Sequence, residues 1–176
     1  MRPVIYDVAV TLDGFIAAPD GDFSMFPGEG PHLQPYFDRL MTYDAVVMGA
    51  ATYRVGLDAG LAHGARAYPH MHHVVFSQTL PDVPDGAIEL CRSDPATRVA
   101  ALKAEAGGAI YLCGGGQLAS ALLHAGLIDR VRIKRAPIVL GHGIPLFTTG
   151  RAEMTLVTCE PYANGVVYLD YEVNRG

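Results

Sequence analysis

The apolar run Ala109-Ile110-Tyr111-Leu112-Cys113 passes straight into Gly114-Gly115-Gly116, and the chain then resumes as Gln117-Leu118-Ala119-Ser120-Ala121-Leu122. The first stretch reads as a buried strand, and Leu118, Ala121 and Leu122 recur at helical spacing. Three residues without Cβ atoms stand between them, so a ligand can lie directly against the backbone. The first N–H groups of the helix lack internal partners and point outward with the positive end of the helix dipole. A pyrophosphate suits such a corner; the alternative is a tight turn with no ligand.

Met48-Gly49-Ala50-Ala51-Thr52-Tyr53 repeats the pattern: apolar strand, glycine, helix start with a hydroxyl. Two such corners can clamp both phosphates of a dinucleotide, although a simple helix cap at Thr52 explains the second one equally well. Neither contains G-x-G-x-x-G, and G-x-x-x-x-G-K-[ST] is absent, which disfavours a standard Rossmann or P-loop domain.

The same alternation runs through most of the chain. Val4–Val10 reads as a buried strand, and a helix opening at Pro31 carries Leu33, Tyr36, Phe37, Leu40 and Met41. Strands are predicted at Asp44–Gly49, His73–Phe76 and Ala87–Cys91, and Asp94-Pro95 signals a capped helix with Val99 and Leu102 inside. Val131–Ile133 and Ile138–Leu140 are predicted strands on either side of Pro137. Met154–Thr158 and Val166–Val173 form a hairpin about Asn164-Gly165. The expected architecture is α/β, with a central mixed, mostly parallel sheet, a C-terminal antiparallel hairpin and helices on both faces. At 176 residues, half of them hydrophobic, the chain fits one domain over 1–176.

Other classes find little support. A formal charge of −5 without a basic stripe argues against a nucleic-acid partner. No apolar stretch reaches the roughly 18–20 residues of a membrane span. An acid as early as Asp7 argues against a secretory leader, so a cytoplasmic location is expected. Three scattered cysteines, Cys91, Cys113 and Cys159, make neither a disulfide framework nor a zinc signature; two of them read as buried thiols. His70-Met71-His72-His73 lacks acidic or thiol neighbours, and no metal is expected. His142 sits in a glycine loop, at a structural position or a pocket rim, and without G-x-S-x-G a serine-hydrolase elbow is missing.

Taken in order, the segments resemble the RibD C-terminal reductase family of the dihydrofolate-reductase-like superfamily. Thr11-Leu12-Asp13-Gly14-Phe15-Ile16-Ala17 is similar to its S-L-D-G-x-I-A, and Val47-Met48-Gly49-Ala50-Ala51-Thr52 to its apolar-G-x-x-T. Val75 to Leu80 is similar to its third-segment serine motif, and Gly114 to Gly116 to its glycine turn. Ala136 to Phe147 resembles A-P-x-x-L-G-x-G-x-P-L-F. The resemblance implies a three-layer fold that binds NADPH, with NADH possible. It sets nicotinamide contacts at Ala9 and Ile16, and phosphate contacts at Gly49, Ala51 and Thr52 and along Cys113, Gly114, Gly115, Gly116, Gln117 and Leu118. Ser77 and Gln78 would meet the adenosine end. It also implies a homodimer, for which the apolar C-terminal strands are suited.

Departures from the family pattern concern the substrate. Ala50 stands where folate-reductase relatives often carry a base for the 2′-phosphate, a role left to Arg54, Arg66 or Arg92. Asp7 replaces a lysine and Cys113 a glutamate of the riboflavin-pathway reductases, and Tyr53 to Asp58 lacks their D-N-P-x-L-x-x-R. Leu33 stands where folate reductases place an acid. Lost polar anchors point to a changed small-molecule substrate: a carbonyl, an imine, or a pterin- or pyrimidine-like compound. Asp13 is the predicted proton donor and Asp7 the second, with Asp13 also readable as a turn residue. Phe15, Met25, Phe26, Phe37 and Met41 are candidate lining of an apolar cleft, with Phe37 and Met41 also readable as core residues, and Asp7, Phe26, Leu33 and Phe37 are the candidate substrate positions. A nucleotide-binding sensor without turnover is the alternative reading.

Overall fold

Eight strands hydrogen-bond into one sheet in the order β5-β4-β3-β6-β1-β7-β10-β9 in this computed structural model, which describes residues 1–174. The strands are β1 (Val4–Val10), β3 (Tyr43–Gly49), β4 (His72–Phe76), β5 (Glu89–Cys91), β6 (Ala109–Leu112), β7 (Arg130–Arg135), β9 (Met154–Pro161) and β10 (Val167–Val173). A two-stranded miniature sheet pairs β2 (Phe15–Ala17) with β8 (Ile144–Pro145). Pairings from β5 through β7 are parallel, whereas β10 runs antiparallel to both β7 and β9.

Four helices cover the sheet: α1 (Leu33–Leu40), α2 (Ala50–Asp58), α3 (Pro95–Ala104) and α4 (Gly116–His124). Strand alternation divides the core in two. Val4, Tyr6, Val47, Ile110 and Leu112 pack with Val99, Leu102, Leu118 and Leu122 of α3 and α4. Ile5, Tyr43, Val46, Met48 and Tyr111 pack with Leu40 and Tyr53 of α1 and α2. Asp94 caps α3 as its spacing predicts, accepting from the Thr97 N–H at 2.9 Å ahead of Pro95.

Two predictions are corrected. Ile138–Leu140 is not a strand, because its amides serve the loop: Ile138 accepts from the Leu12 N–H at 2.7 Å, and the Leu140 N–H turns to Asp13. Ala121 faces outward and Ala119 takes its place in the core. Cys159 is exposed, while Cys91 is buried and Cys113 half-buried. Among the described residues no helix is long and apolar enough to cross a membrane.

Candidate active site

The parallel register brings the carboxyl ends of β1, β3 and β6 to one edge of the sheet, where open α/β sheets bind ligands. Both predicted corners lie there. Gly49 caps α2 with an extended backbone, φ −83° and ψ 166°, and Gly115 caps α4; neither helix has a side-chain cap. The capping role for Thr52 therefore falls. Its hydroxyl crosses to the other corner, where a Cβ on Gly114 would sit 3.1 Å from Thr52 Oγ1 and one on Gly115 3.8 Å. Gly114 and Gly115 take φ of 67° and 81°, which L side chains rarely adopt. A Cβ on Gly49 would meet nothing within 4 Å. Two uncapped helix starts, the first bare toward open space and the second with the Thr52 hydroxyl beside it, fit a diphosphate.

Not every candidate at these corners faces that space. A Cβ on Gly116 would lie 2.2 Å from the Pro145 carbonyl oxygen, so this bare Cα serves the packing of α4 on β8. Leu118 buries its side chain in the α3–α4 core, and Ala51 and Gln117 are exposed.

Beside the corners a cleft of about 290 Å³ opens. Ala9, Ile16, Cys113 and Gly114 are among its lining, together with Phe26 and Leu33. Phe23, Pro27, His32 and Tyr36 join them, while Asp7, Tyr111 and Lys134 are the polar groups nearest its floor. Phe37 and Met41 are corrections: Phe37 on α1 and Met41 at its C-cap turn to solvent, 51% and 66% exposed. Phe15 and Met25 do not line the cleft either.

The floor carries the charge. Asp7 Oδ2 accepts from Arg39 Nε at 3.2 Å and from the Tyr43 hydroxyl at 3.1 Å, whereas Oδ1 is buried without a hydrogen bond. Lys134 Nζ lies 3.5 Å from that oxygen and 3.2 Å from the centroid of the Tyr36 ring. Burial pushes the Lys134 ammonium down to about 8, opposed by the charge of Asp7 and assisted by that of Arg39. Burial pushes the Tyr36 phenol up to about 12, and it also raises Tyr111 and Cys113, so these groups stay protonated at neutral pH. His32 accepts from Asn164 Nδ2 at Nδ1 (3.0 Å), which leaves Nε2 to donate to the Pro27 carbonyl at 3.2 Å. Sequence reading missed Lys134. Its signal lies in Arg130, Arg132 and Lys134, which alternate along β7 and set a row of bases on one face of an interior strand.

Asp13, the predicted proton donor, is corrected. It lies outside the cleft lining and clamps a loop, accepting from Thr11 Oγ1 at 2.6 Å and from the Gly141 N–H at 2.7 Å. Those bonds, the Thr11 hydroxyl first, hold its carboxyl down at about 2, so it stays ionised and has no proton to give. Ser77 Oγ accepts from the Thr79 and Leu80 amides, and Gln78 donates to the Arg92 carbonyl at 2.7 Å. Of the three arginines, Arg66 donates to the Ala87 carbonyl and Arg92 to the Ser77 and Leu80 carbonyls, all on the connection between β4 and β5. Arg54 is exposed on α2, 3.2 Å from the Thr79 hydroxyl. The histidine run disperses: His70 bonds the Leu40 carbonyl, His72 meets Glu89, and His73 is buried against Met71 and Tyr68. His142 is exposed in its loop.

The sequence pattern of the RibD C-terminal domain matches residues 2–168. The chain belongs to the RibD C-terminal domain family. It is 30% identical to the uncharacterized protein YyaP of Bacillus subtilis strain 168, across 98% of this chain and 96% of that one. A protein of Shewanella sp. PV-4, provisionally assigned to riboflavin biosynthesis, superposes with a TM-score of 0.78 at 25% identity, covering 99% of this chain and all of that one. Dihydrofolate reductase of Enterococcus faecalis, solved with NADP(H), superposes with a TM-score of 0.72 at 18% identity over 98% of this chain and 97% of that one. That likeness extends the RibD C-terminal fold to the dihydrofolate-reductase-like architecture expected from the motifs.

Proposed function

We propose that this chain is an NAD(P)H-dependent reductase acting on a small carbonyl, imine or pterin- or pyrimidine-like compound. The reading is carried by one observation: two uncapped glycine corners meet at Thr52 Oγ1 beside a cleft whose wall includes Ala9, Ile16 and Gly114. When bound, the reduced dinucleotide supplies the hydride. Backbone at Gly49, Gly114 and Gly115 holds its diphosphate, and the aromatic and aliphatic wall excludes water from the reacting carbon. The substrate enters between Phe26 and Leu33 and meets the polar floor at Asp7. Arg54 is the arginine left to favour NADPH over NADH, since Ala50 offers the 2′-phosphate no charge.

Parallel titrations with NADPH and NADH, followed by cofactor fluorescence, test the reading. Micromolar binding with NADPH preferred is expected, and no binding of either refutes it. NADPH binding that persists without oxidation across a broad carbonyl and pterin panel favours a sensor instead. The free edge of β9 supports a homodimer, because it leaves a ladder unpaired and keeps Leu156 and Val157 49% and 44% exposed. Sedimentation at micromolar concentration should find a dimer that Leu156→Asp converts to monomer; a wild-type monomer removes this part of the proposal.

A further inference from the structure

We propose that Lys134 is the proton donor of the cleft toward a carbonyl compound, an inference that rests on the reductase reading above. Lys134 stands opposite Ala9 in the β1–β7 ladder, so it is next to the strand position expected to meet the nicotinamide. Its side chain is 11% exposed and lines the cleft. Its ammonium, placed over the Tyr36 ring and 3.5 Å from Asp7 Oδ1, makes a long contact with the carboxylate and keeps N–H groups for a ligand.

The surrounding charges are accounted for. From β1 it faces Asp7, from α1 Tyr36 and Arg39, from β10 its ladder partner Tyr168, from β6 and the turn after it Tyr111 and Cys113, and at the cleft wall His32. Arg39 is spent on Asp7 Oδ2, and Arg132, on the same face of β7, is held by Asp170 at 2.9 Å and by the Tyr43 hydroxyl at 3.2 Å. Arg39, Asp7 and Lys134 together carry one positive charge, with Lys134 the cation that lines the cleft, and the nearby wall is apolar: Ile16, Phe23, Phe26 and Leu33. A substrate carbonyl only has to accept a hydrogen bond from that ammonium.

The step balances. The carbonyl carbon takes a hydride, its π pair moves to the oxygen, and that oxygen takes a proton from Lys134 Nζ to give an alcohol. The dinucleotide is oxidised, and the neutral amine regains its proton from solvent. A lysine held near 8 by burial is charged at pH 7 yet gives its proton up more readily than an exposed one.

The test uses the full chain with the aldehyde methyl 4-formylbenzoate, following NADPH oxidation. Lys134 and Lys103 are the only lysines, so 13C-lysine labelling gives two side-chain resonances, and Lys134→Met assigns them. The ester should be reduced at a rate that falls above about pH 8. Lys134→Met should lower that rate by about 100-fold or more and abolish the pH limb, with NADPH affinity within about threefold of wild type. In wild type, which needs no variant to fold, the Lys134 resonance should titrate near 8 and shift when the ester joins the NADP⁺ complex. The assignment is overturned if the variant keeps its rate and pH limb. It is overturned equally if NADPH binds, the ester is not consumed and the resonance does not move. Failure to bind NADPH at all overturns the reductase reading beneath it.

Discussion

Gly116→Ala and Gly49→Ala should separate two uses of a missing side chain. At Gly116 the added methyl would meet the Pro145 carbonyl oxygen at 2.2 Å and the Leu146 carbonyl oxygen at 3.4 Å. Both are backbone, so no rotamer change relieves the contact, and α4 and β8 must part by about 1 Å, an overpacking cost near 3 kcal/mol. Alanine's helix preference returns at most about 1 kcal/mol. The net loss of about 2 kcal/mol corresponds to about 4–8 °C in Tm for a chain of this size. At Gly49 the methyl meets nothing within 4 Å and φ is −83°, so backbone strain is absent. Only the N-cap preference is lost, under about 1 kcal/mol. That methyl does, however, enter the space assigned to the diphosphate, and NADPH affinity should drop about tenfold or more. Thermal melts followed by circular dichroism, run alongside NADPH fluorescence titrations, read both effects. The reasoning fails if Gly116→Ala melts within 2 °C of wild type, or if Gly49→Ala binds NADPH normally.

Two further expectations concern pH. Asp13 is held at about 2 in the fold, below its ordinary value, so its contribution is complete above about pH 4 and is lost as pH falls toward 2. Chemical denaturation across that window should therefore show a smaller pH dependence for Asp13→Asn than for wild type, and an equal one would deny the clamp. His73 is buried and lowered below its ordinary value chiefly by desolvation, with Nε2 accepting from the Tyr68 N–H and Nδ1–H donating to the Met71 carbonyl. The fold thus favours the neutral ring, and stability should fall as pH drops below about 6.5; His73→Gln should flatten that slope in melts from pH 7.5 to 5.5.

Much of the architecture was legible in the sequence because glycine and proline punctuate it where strands become helices. The ends of β3 and β6, the Asp94-Pro95 start of α3 and the Asn164-Gly165 hairpin all follow from local backbone chemistry. Ile138–Leu140 misled because an apolar, β-branched run states its preference but not whether a ladder partner exists. Phe37 misled in the same way: the spacing from Leu33 to Met41 fixes a helix, but only the placement of α1 on the sheet decides which side turns to solvent. At the site, the glycine corners and Asp7 could be read locally. Lys134 is separated from Asp7 by most of the chain, and the parallel pairing of β1 with β7 alone makes them neighbours.

The floor and the rim of the cleft are built on different kinds of backbone. Asp7 and Lys134 project from adjacent interior strands, whose spacing of about 4.8 Å cannot drift without breaking a ladder on either side. Phe23, Phe26 and Pro27 project from an irregular connection that makes few ties to the sheet. Efforts to give this scaffold a new specificity should therefore randomise positions 23–33 and leave the strand pair alone. The chemistry is anchored where the polypeptide is stiffest, and selectivity is written where it can be rewritten.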